Sequence, residues 1–527
     1  MQPEKGRSDR GKMVRAAGVV GGATAVSRVL GLLRDAVMAS LFGASPATDA
    51  FFVAFRLPNL MRQLFGEGAL ASSFVPVYTD IREKQGEEQA RLFSSNLISL
   101  LFIILTAITL VGVLLAPALV RVIALGFKPG SDVFRLTVLL TRWMLPYMVL
   151  ICTAALFMGI LNSHRHFLAP AAAPALLNIC IIAAAFVVSP GLSTPILALA
   201  WAVLAGGLLQ FLTQIPPMWS RGILPAPRVP VLTPEVRRMA LMMGPAVLGV
   251  AVYQVNILVD TLLASFLPTG SITYLWYGNR IMQFPLGVFG IALATAALPT
   301  LSKQISEGRR EDFRGTVSFS LALTAFIGLP ATLGLIALRE PIMLTLFGRG
   351  AFSNADVRGA ATALLFYAAG LLFFIAVKIL GRAFFAVEDT RTPFKAAGTA
   401  FLVNTLLNLA LMGPMGYAGL ALATSLASGV NFMILARHFS RKLAMPWADA
   451  HLVRETVRSF SAAAVMLGAL VLVAARVDWL VLPALARALW LLGCVVLGIG
   501  VYSIAALIFG CKSMKTLKNR LFEGPGA

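Results

Sequence analysis

Read for its apolar and polar positions, the chain alternates long hydrophobic stretches with short polar breaks. Fourteen of the stretches reach roughly the 20 residues that a helix needs to cross a bilayer. They fall near 17–42, 48–79, 93–125, 136–161, 168–189, 195–219, 236–267, 271–302, 315–338, 357–384, 394–413, 416–437, 457–476 and 482–510. The pattern predicts an all-α integral membrane protein of about fourteen transmembrane helices. No loop is long enough for a separate soluble domain, so any activity lies in or between the spans.

The pattern also repeats. At an offset of 223 residues Gly21 matches Gly244, Pro76 matches Pro299, Pro170 matches Pro393, and Leu197-Ala-Leu-Ala matches Leu420-Ala-Leu-Ala. Four landmarks at one offset, each in a corresponding span, predict two copies of a six-helix bundle. Six is even, so the copies share their orientation, the parallel-repeat arrangement of transporters that rock two halves. The expected organisation is a basic N-terminus at 1–16, an N-lobe at 17–219 and a C-lobe at 236–437. Two further helices at 457–510 and a tail at 511–527 complete it.

Composition agrees with this reading. Of 527 residues, 58% are hydrophobic and only 13% charged, against about 25% charged in soluble domains; mean hydropathy is +0.83. The formal charge of +21 would suit nucleic acid in a soluble protein, but here the Lys and Arg residues collect in alternate loops. Lys5 to Arg15, Arg82 to Arg91, Arg221 to Arg238, Lys303 to Arg314, Arg437 to Arg458 and Lys512 to Arg520 mark one side, and the loops GASPAT, SPGLST, PTGS and GPMGY carry none. That bias is the positive-inside rule, placing both termini in the cytoplasm and leaving no role for nucleic acid. The N-terminus starts like a signal peptide, but Arg28, Arg34 and Asp35 interrupt its apolar run, so it reads as a retained first span. Cys152, Cys180, Cys494 and Cys511 have no disulfide or zinc spacing, and His164 and His166 read as solvated loop residues.

Charge inside the spans is the exception. A charged side chain at mid-bilayer costs roughly 2.5–3.5 kcal/mol on insertion scales and marks a functional, inward-facing site by default. Span 1 carries Arg28, Arg34 and Asp35, span 2 carries Asp49, Arg56, Arg62 and Glu67, and span 8 carries Arg280. Arg28 and Asp35 are two helical turns apart on one face, as are Asp49 and Arg56; ion pairing within each couple is the structural alternative. Five arginines against three acids leave about two positive charges, which calls for an anion, and guanidinium forks suit phosphate oxygens. Spans 2 and 8 are both broken by glycine and proline, at Pro58, Gly66, Gly68 and Pro76 and at Pro285, Gly287, Gly290 and Pro299. Such paired breaks point to a transporter's binding site. A second constellation, Asp260, Asn404, Asn408 and Thr424, offers oxygen ligands to a monovalent cation, with interhelical hydrogen bonding as the alternative. No nucleophile motif or nucleotide-binding loop occurs, so transport driven by direct ATP hydrolysis is not expected.

The strings SRVLGLLRDAVMASLFGASPATDAFFVAFRLPNLMRQLFGEGALASSFVPVY, GPAVLGV and TPFKAAGTAFLVNTLLNLAL closely resemble the MurJ (MviN) lipid II flippases of the multidrug/oligosaccharidyl-lipid/polysaccharide exporter superfamily, and the similarity covers essentially the whole chain. The resemblance implies two six-helix lobes plus two helices lining a groove for a lipid tail. It implies a transporter rather than an enzyme, located in the bacterial cytoplasmic membrane. The expected activity is translocation of the undecaprenyl-diphosphate-linked peptidoglycan precursor, lipid II, to the outer leaflet by alternating access. It maps essential cavity residues onto Arg28, Arg34, Asp49, Arg62 and Arg280, with Asp35, Arg56 and Glu67 nearby. Membrane lipids and the cell-wall synthesis machinery are the implied partners, with Na+ or H+ as coupling ion and no bound cofactor. One departure is Gly278-Asn279, where many members have Ala-Asp before the arginine. The alternatives are a flippase for another lipid-linked oligosaccharide, a drug exporter of the same superfamily, and a membrane glycosyltransferase. Surplus arginine disfavours a drug exporter, and short outward loops disfavour the transferase.

Overall fold

The computed structural model describes residues 3–66, 69–443 and 446–514, and among them all regular structure is helical. By internal contact the chain divides into two units, Met1–Thr269 and Gly270–Ala527.

The first unit contains α1 (Pro3–Phe42), α2 (Pro46–Met61), α3 (Ala69–Gln85), α4 (Glu87–Leu114), α5 (Ala116–Ile123), α6 (Asp132–Met144) and α7 (Tyr147–Ser163). It continues with α8 (Leu168–Val187), α9 (Leu197–Leu212), α10 (Ile215–Trp219) and α11 (Pro234–Ala264). The turn from α1 into α2 is written in local chemistry. Gly43 takes a φ of +58°, and its carbonyl accepts from Thr48 Oγ1 at 2.9 Å. The Ser45 hydroxyl caps α2 by accepting from the Thr48 amide, and Pro46 supplies the preset φ of a first helical residue. The core of this unit joins α3, α4, α7 and α11. Phe74 stacks on Phe93 at 6.0 Å between ring centroids, and Gly159 admits Phe74 so closely that a Cβ there would lie 2.8 Å from the ring.

The second unit contains α12 (Ser271–Pro285), α13 (Ile291–Ser306), α14 (Arg310–Ala337), α15 (Arg339–Phe347), α16 (Asn354–Ala369), α17 (Leu371–Ala386), α18 (Arg391–Met415), α19 (Tyr417–Leu443), α20 (Ala450–Ala474) and α21 (Ala484–Ile508). Side chains of α13, α14, α17 and α19 make one core around Phe313, Phe384 and Phe439. The two C-terminal helices pack on α14, where Tyr502 of α21 donates to the Phe326 carbonyl at 2.6 Å. Outward, α21 presents Leu489, Leu492, Val496 and Ile499, an apolar surface suited to lipid.

Within the described residues the expected spans lie largely on helices, several of them as two helices in succession, such as α4 with α5 and α6 with α7. Ten stretches among the described residues are long and apolar enough to cross a membrane, or eleven if α16 and α17, bent by 41° at their junction, form one span. The expected spans outside that count are the first, the second and the seventh, which are the ones carrying Arg28, Arg34, Asp35, Asp49, Arg56, Arg62, Glu67 and Asp260. In the second and eighth spans the expected breaks take a specific form. A π turn, Arg62–Gly66, joins α2 to α3, and another, Leu286–Gly290, joins α12 to α13. Wide turns of this kind cluster at functional sites. The four cysteines are free.

Candidate functional site

The polar residues of α1 and α2 are held from α8 and α11. Helix α1 packs along α8, and Ser27 and Arg34 of α1 meet Asn178 of α8. Arg34 wraps onto its neighbour in sequence: Nε and Nη2 donate to Asp35 Oδ1 at 3.0 and 2.6 Å. Both side chains are buried, Asp35 completely. Arg34 Nη1 donates to Asn178 Oδ1 on α8 at 3.2 Å, and Asn178 donates in turn to the Ser27 carbonyl. A buried carboxylate needs such a partner, because one left alone would carry its full desolvation cost.

Asp35 is therefore paired with Arg34, not with Arg28. The seven-residue spacing does put Arg28 and Asp35 on one side of the helix, but Arg28 is exposed. It makes no hydrogen bond or ion pair among the described residues.

On α2, Asp49 lies buried in the first turn, where the helix dipole favours a carboxylate. Arg56 does not turn back along α2 alone: its Nε donates to Thr261 Oγ1 on α11 at 2.9 Å. Arg62 opens the π turn and donates from Nε and Nη2 to Asn59 Oδ1 at 3.2 and 3.0 Å. The next residue, Gln63, accepts from Gln254 of α11. Asn178, Thr261 and Gln254 thus belong to the site although no charge advertised them. Their signal was polarity inside an apolar span, since Gln254 and Thr261 lie seven apart on one face of α11. Glu67 lies outside the described residues.

Arg280 belongs to the second unit, on α12, and is half-buried. Its neighbours explain how it is held. Tyr277 stacks on Phe347 at 4.6 Å, and Gly278 seats α12 directly against the α16 backbone at Leu364. Two residues further along, Arg280 points roughly 200° away from that contact. Asn279 accepts from Gln283 one turn later.

The oxygen constellation divides between the units. Asn404, Asn408 and Thr424 come together: Asn408 Nδ2 donates to Asn404 Oδ1 at 2.8 Å, and Asn404 Nδ2 to Thr424 Oγ1 at 3.3 Å. Asp260 lies in the first unit, where Asn256 donates to it at 3.3 Å. No group of three His, Cys, Asp or Glu side chains suited to a metal occurs among the described residues.

The basic loop end of the first unit is more ordered than a solvated loop. His164 is half-buried, with Nε2 3.1 Å from both Tyr78 Oη and Glu87 Oε1. Burial, helped by Arg82 and Arg221, lowers its pKa below 6.5 against the pull of Glu87.

Comparison with known proteins identifies the family. Residues 38–489 match the family model described as lipid II flippase MurJ. The chain is 37% identical over 519 residues to a probable lipid II flippase MurJ of Vibrio cholerae, covering 96% of this chain and 98% of the relative. It is 36% identical to the lipid II flippase MurJ of Burkholderia cenocepacia, covering 97% and 99%. A solved lipid II flippase MurJ in an inward closed conformation superposes with a TM-score of 0.79 at 28% identity, over 93% of this chain and 98% of that one. An inward-facing multidrug MATE transporter of the MOP superfamily shares the fold, at 15% identity and a TM-score of 0.66. The chain belongs to the lipid II flippase MurJ family.

Proposed function

We propose that this chain is a lipid II flippase of the bacterial cytoplasmic membrane, with both termini in the cytoplasm. It carries the undecaprenyl-diphosphate-linked peptidoglycan precursor from the inner to the outer leaflet. The observation that carries the reading is Arg28: an exposed guanidinium on a membrane helix, beside the buried Arg34–Asp35 pair. A guanidinium in that position is available to phosphate oxygens, which it binds bidentately. Thr261 and Asn59 accept from Arg56 and Arg62 and fix the orientation of their guanidinium groups.

In this reading the diphosphate and sugar head group enters from the cytoplasmic side and is bound by Arg28, Arg34, Arg62 and Arg280. Asp35 and Asp49 position the arginines, with Arg56 and Glu67 nearby. The prenyl tail stays in lipid along the apolar surface of α20 and α21, and alternating access exposes the head outward. A membrane potential is worth about 2.3 kcal/mol per elementary charge per 100 mV, so a negative interior favours outward movement of the anion. Na+ or H+ is the proposed coupling ion. Asn404, Asn408 and Thr424 of the second unit supply oxygens of the kind a hard cation takes. The cell-wall synthesis machinery is the proposed consumer of the product.

The test is replacement of a depleted cell's flippase by this chain, followed by measurement of lipid II accessibility at the outer leaflet. Wild type restores flipping and Arg28→Ala does not. Normal flipping by Arg28→Ala would remove the phosphate clamp from the mechanism, and no flipping by wild type would remove the substrate.

A further inference from the structure

The second unit holds a cavity of about 380 Å3, lined by Arg339, Glu340, Leu344, Arg358, Asp478 and Trp479 among others. It lies where the corner between α14 and α15 and the first turns of α16 meet the loop joining α20 to α21. Helices α14 and α20 both begin at basic segments, Lys303 to Arg314 and Arg437 to Arg458. The cavity is therefore at the opposite end of these spans, the outward end in the orientation proposed above.

The internal repeat shows what is particular to this corner. Phe134, Val138 and Thr141 of α6 are buried, and so are Val357, Ala361 and Leu364 of α16, each 223 residues further on. Arg135 and Arg358 thus occupy equivalent places. Arg135 donates to Asp132 at 2.9 Å, but Ala355 stands where that acid would be, and the exposed Arg358 guanidinium has no hydrogen bond or ion pair among the described residues. Arg339 likewise replaces a buried Ala116. It donates to the Ile336 carbonyl at 2.8 Å and lies 3.9 Å from Glu340. The wall opposite comes from the hairpin that stands outside the repeat. Trp479 joins the apolar cluster of Leu338 and Ile342 and donates from Nε1 to the Ala474 carbonyl at 2.9 Å, which fixes the loop beside Asp478. Two guanidiniums and two carboxylates therefore share one cavity, balanced in charge but not consumed by pairing. From its mouth the exposed Leu480, Val481 and Leu485 continue onto the outer surface of α21, and an indole between polar and apolar surroundings is typical of a membrane interface.

We propose that this cavity binds the head group of an outer-leaflet phospholipid that carries both a phosphate and a primary ammonium, as phosphoethanolamine does. The inference rests on the orientation in the flippase reading above, not on its substrate. Arg339 and Arg358 take the phosphate oxygens, which guanidinium forks suit. Glu340 and Asp478 accept from the ammonium, and the acyl chains leave over Leu480 and Leu485. A lipid held in this way ties the hairpin of α20 and α21 to α15 and α16 at their outward ends.

The test uses the full chain in detergent, titrated with short-chain phosphatidylethanolamine, phosphatidylglycerol and phosphatidylcholine and read by thermal shift. Wild type is expected to bind phosphatidylethanolamine about tenfold more tightly than either of the others, and Arg358→Gln to lose about tenfold of that affinity. Asp478→Asn is expected to lose the preference over phosphatidylglycerol. Arg135→Gln, the equivalent cation of the first unit, is the control and is expected to bind as wild type does. Unchanged melting temperatures without lipid show that the variants fold. Equal affinity of wild type for the three lipids, wild-type affinity in Arg358→Gln, or equal weakening in Arg135→Gln would overturn the site. Glycerophosphoethanolamine, the head group without chains, is expected not to compete; competition at the lipid's own concentration would make the ligand a soluble phosphate ester instead. Asp478→Cys in spheroplasts is expected to react with a membrane-impermeant maleimide above the level of the native chain. No reaction would overturn the outward orientation, and so separates a failure of that reading from a failure of the site.

Discussion

Arg34 and Asp35 are adjacent in sequence, and the arginine donates two hydrogen bonds to one oxygen of its own neighbour, at 3.0 and 2.6 Å, while its third nitrogen reaches Asn178 on another helix. Removing one member leaves the other buried and uncompensated, which costs about 3–5 kcal/mol. Arg34→Ala and Asp35→Ala are therefore each expected to lower thermal stability sharply in detergent, and the double variant is expected to regain much of the loss. Additive losses would show that the two residues do not stabilise each other.

Arg28 should behave in the opposite way. Exposed and unpaired among the described residues, it contributes to stability within about 0.5 kcal/mol, as surface positions do. Arg28→Ala is expected to melt like wild type and fail to flip. Arg28→Lys keeps the charge without the fork and is expected to retain partial activity. Melting curves and leaflet accessibility, measured on the same preparations, separate the two properties.

Thr261 holds Arg56 from α11. Thr261→Val keeps the shape and removes the acceptor, and Thr261→Ser keeps it. Interhelical hydrogen bonds in membranes average about 0.6 kcal/mol, so the valine variant should lose little stability. Its expected effect is on flipping, through a misdirected guanidinium, with serine restoring the rate.

Gly278 has no room for a side chain. A Cβ there would lie 2.9 Å from both the Ala363 Cβ and the Leu364 amide nitrogen. Gly278→Ala is expected to cost about 1–3 kcal/mol by overpacking, seen as a lower melting temperature. The departure Gly278-Asn279 is thus tied to the way α12 meets α16 in this chain.

Asp389, in the loop between α17 and α18, provides the pH test. Burial alone would raise its pKa, but Lys442 and Thr392 outweigh it and lower the carboxyl from 3.8 to about 2. A depressed folded pKa means the stabilisation is fully present above the unfolded value and is lost as pH falls from about 4 towards 2. Asp389→Asn is expected to be less stable than wild type at pH 7, and the gap between them to narrow below pH 4. A gap independent of pH would show that the ionised form is not what matters.

The spans, the internal repeat and the Gly/Pro breaks were legible because each is a periodic or local signal. Partner choice was not. Helical spacing puts Arg28 two turns from Asp35 on one face, but it cannot weigh that against an adjacent Arg34 whose long side chain folds back, with Asn178 arriving from 144 residues away to complete the contact. The reach of Arg56 to Thr261 on α11 is invisible for the same reason, since it depends on how helices pack.

The paired π turns at Arg62–Gly66 and Leu286–Gly290 make each interrupted helix longer by one residue than a regular helix of the same path. Deleting a single residue in either turn would restore α geometry and rotate everything beyond it by about 100°, the angle one residue occupies on a helix. Beyond the first turn, Phe74 and Tyr78 would swing out of the core; beyond the second, Ala294 and Leu301 would do the same. Chain length at these two places is therefore as strictly specified as residue identity.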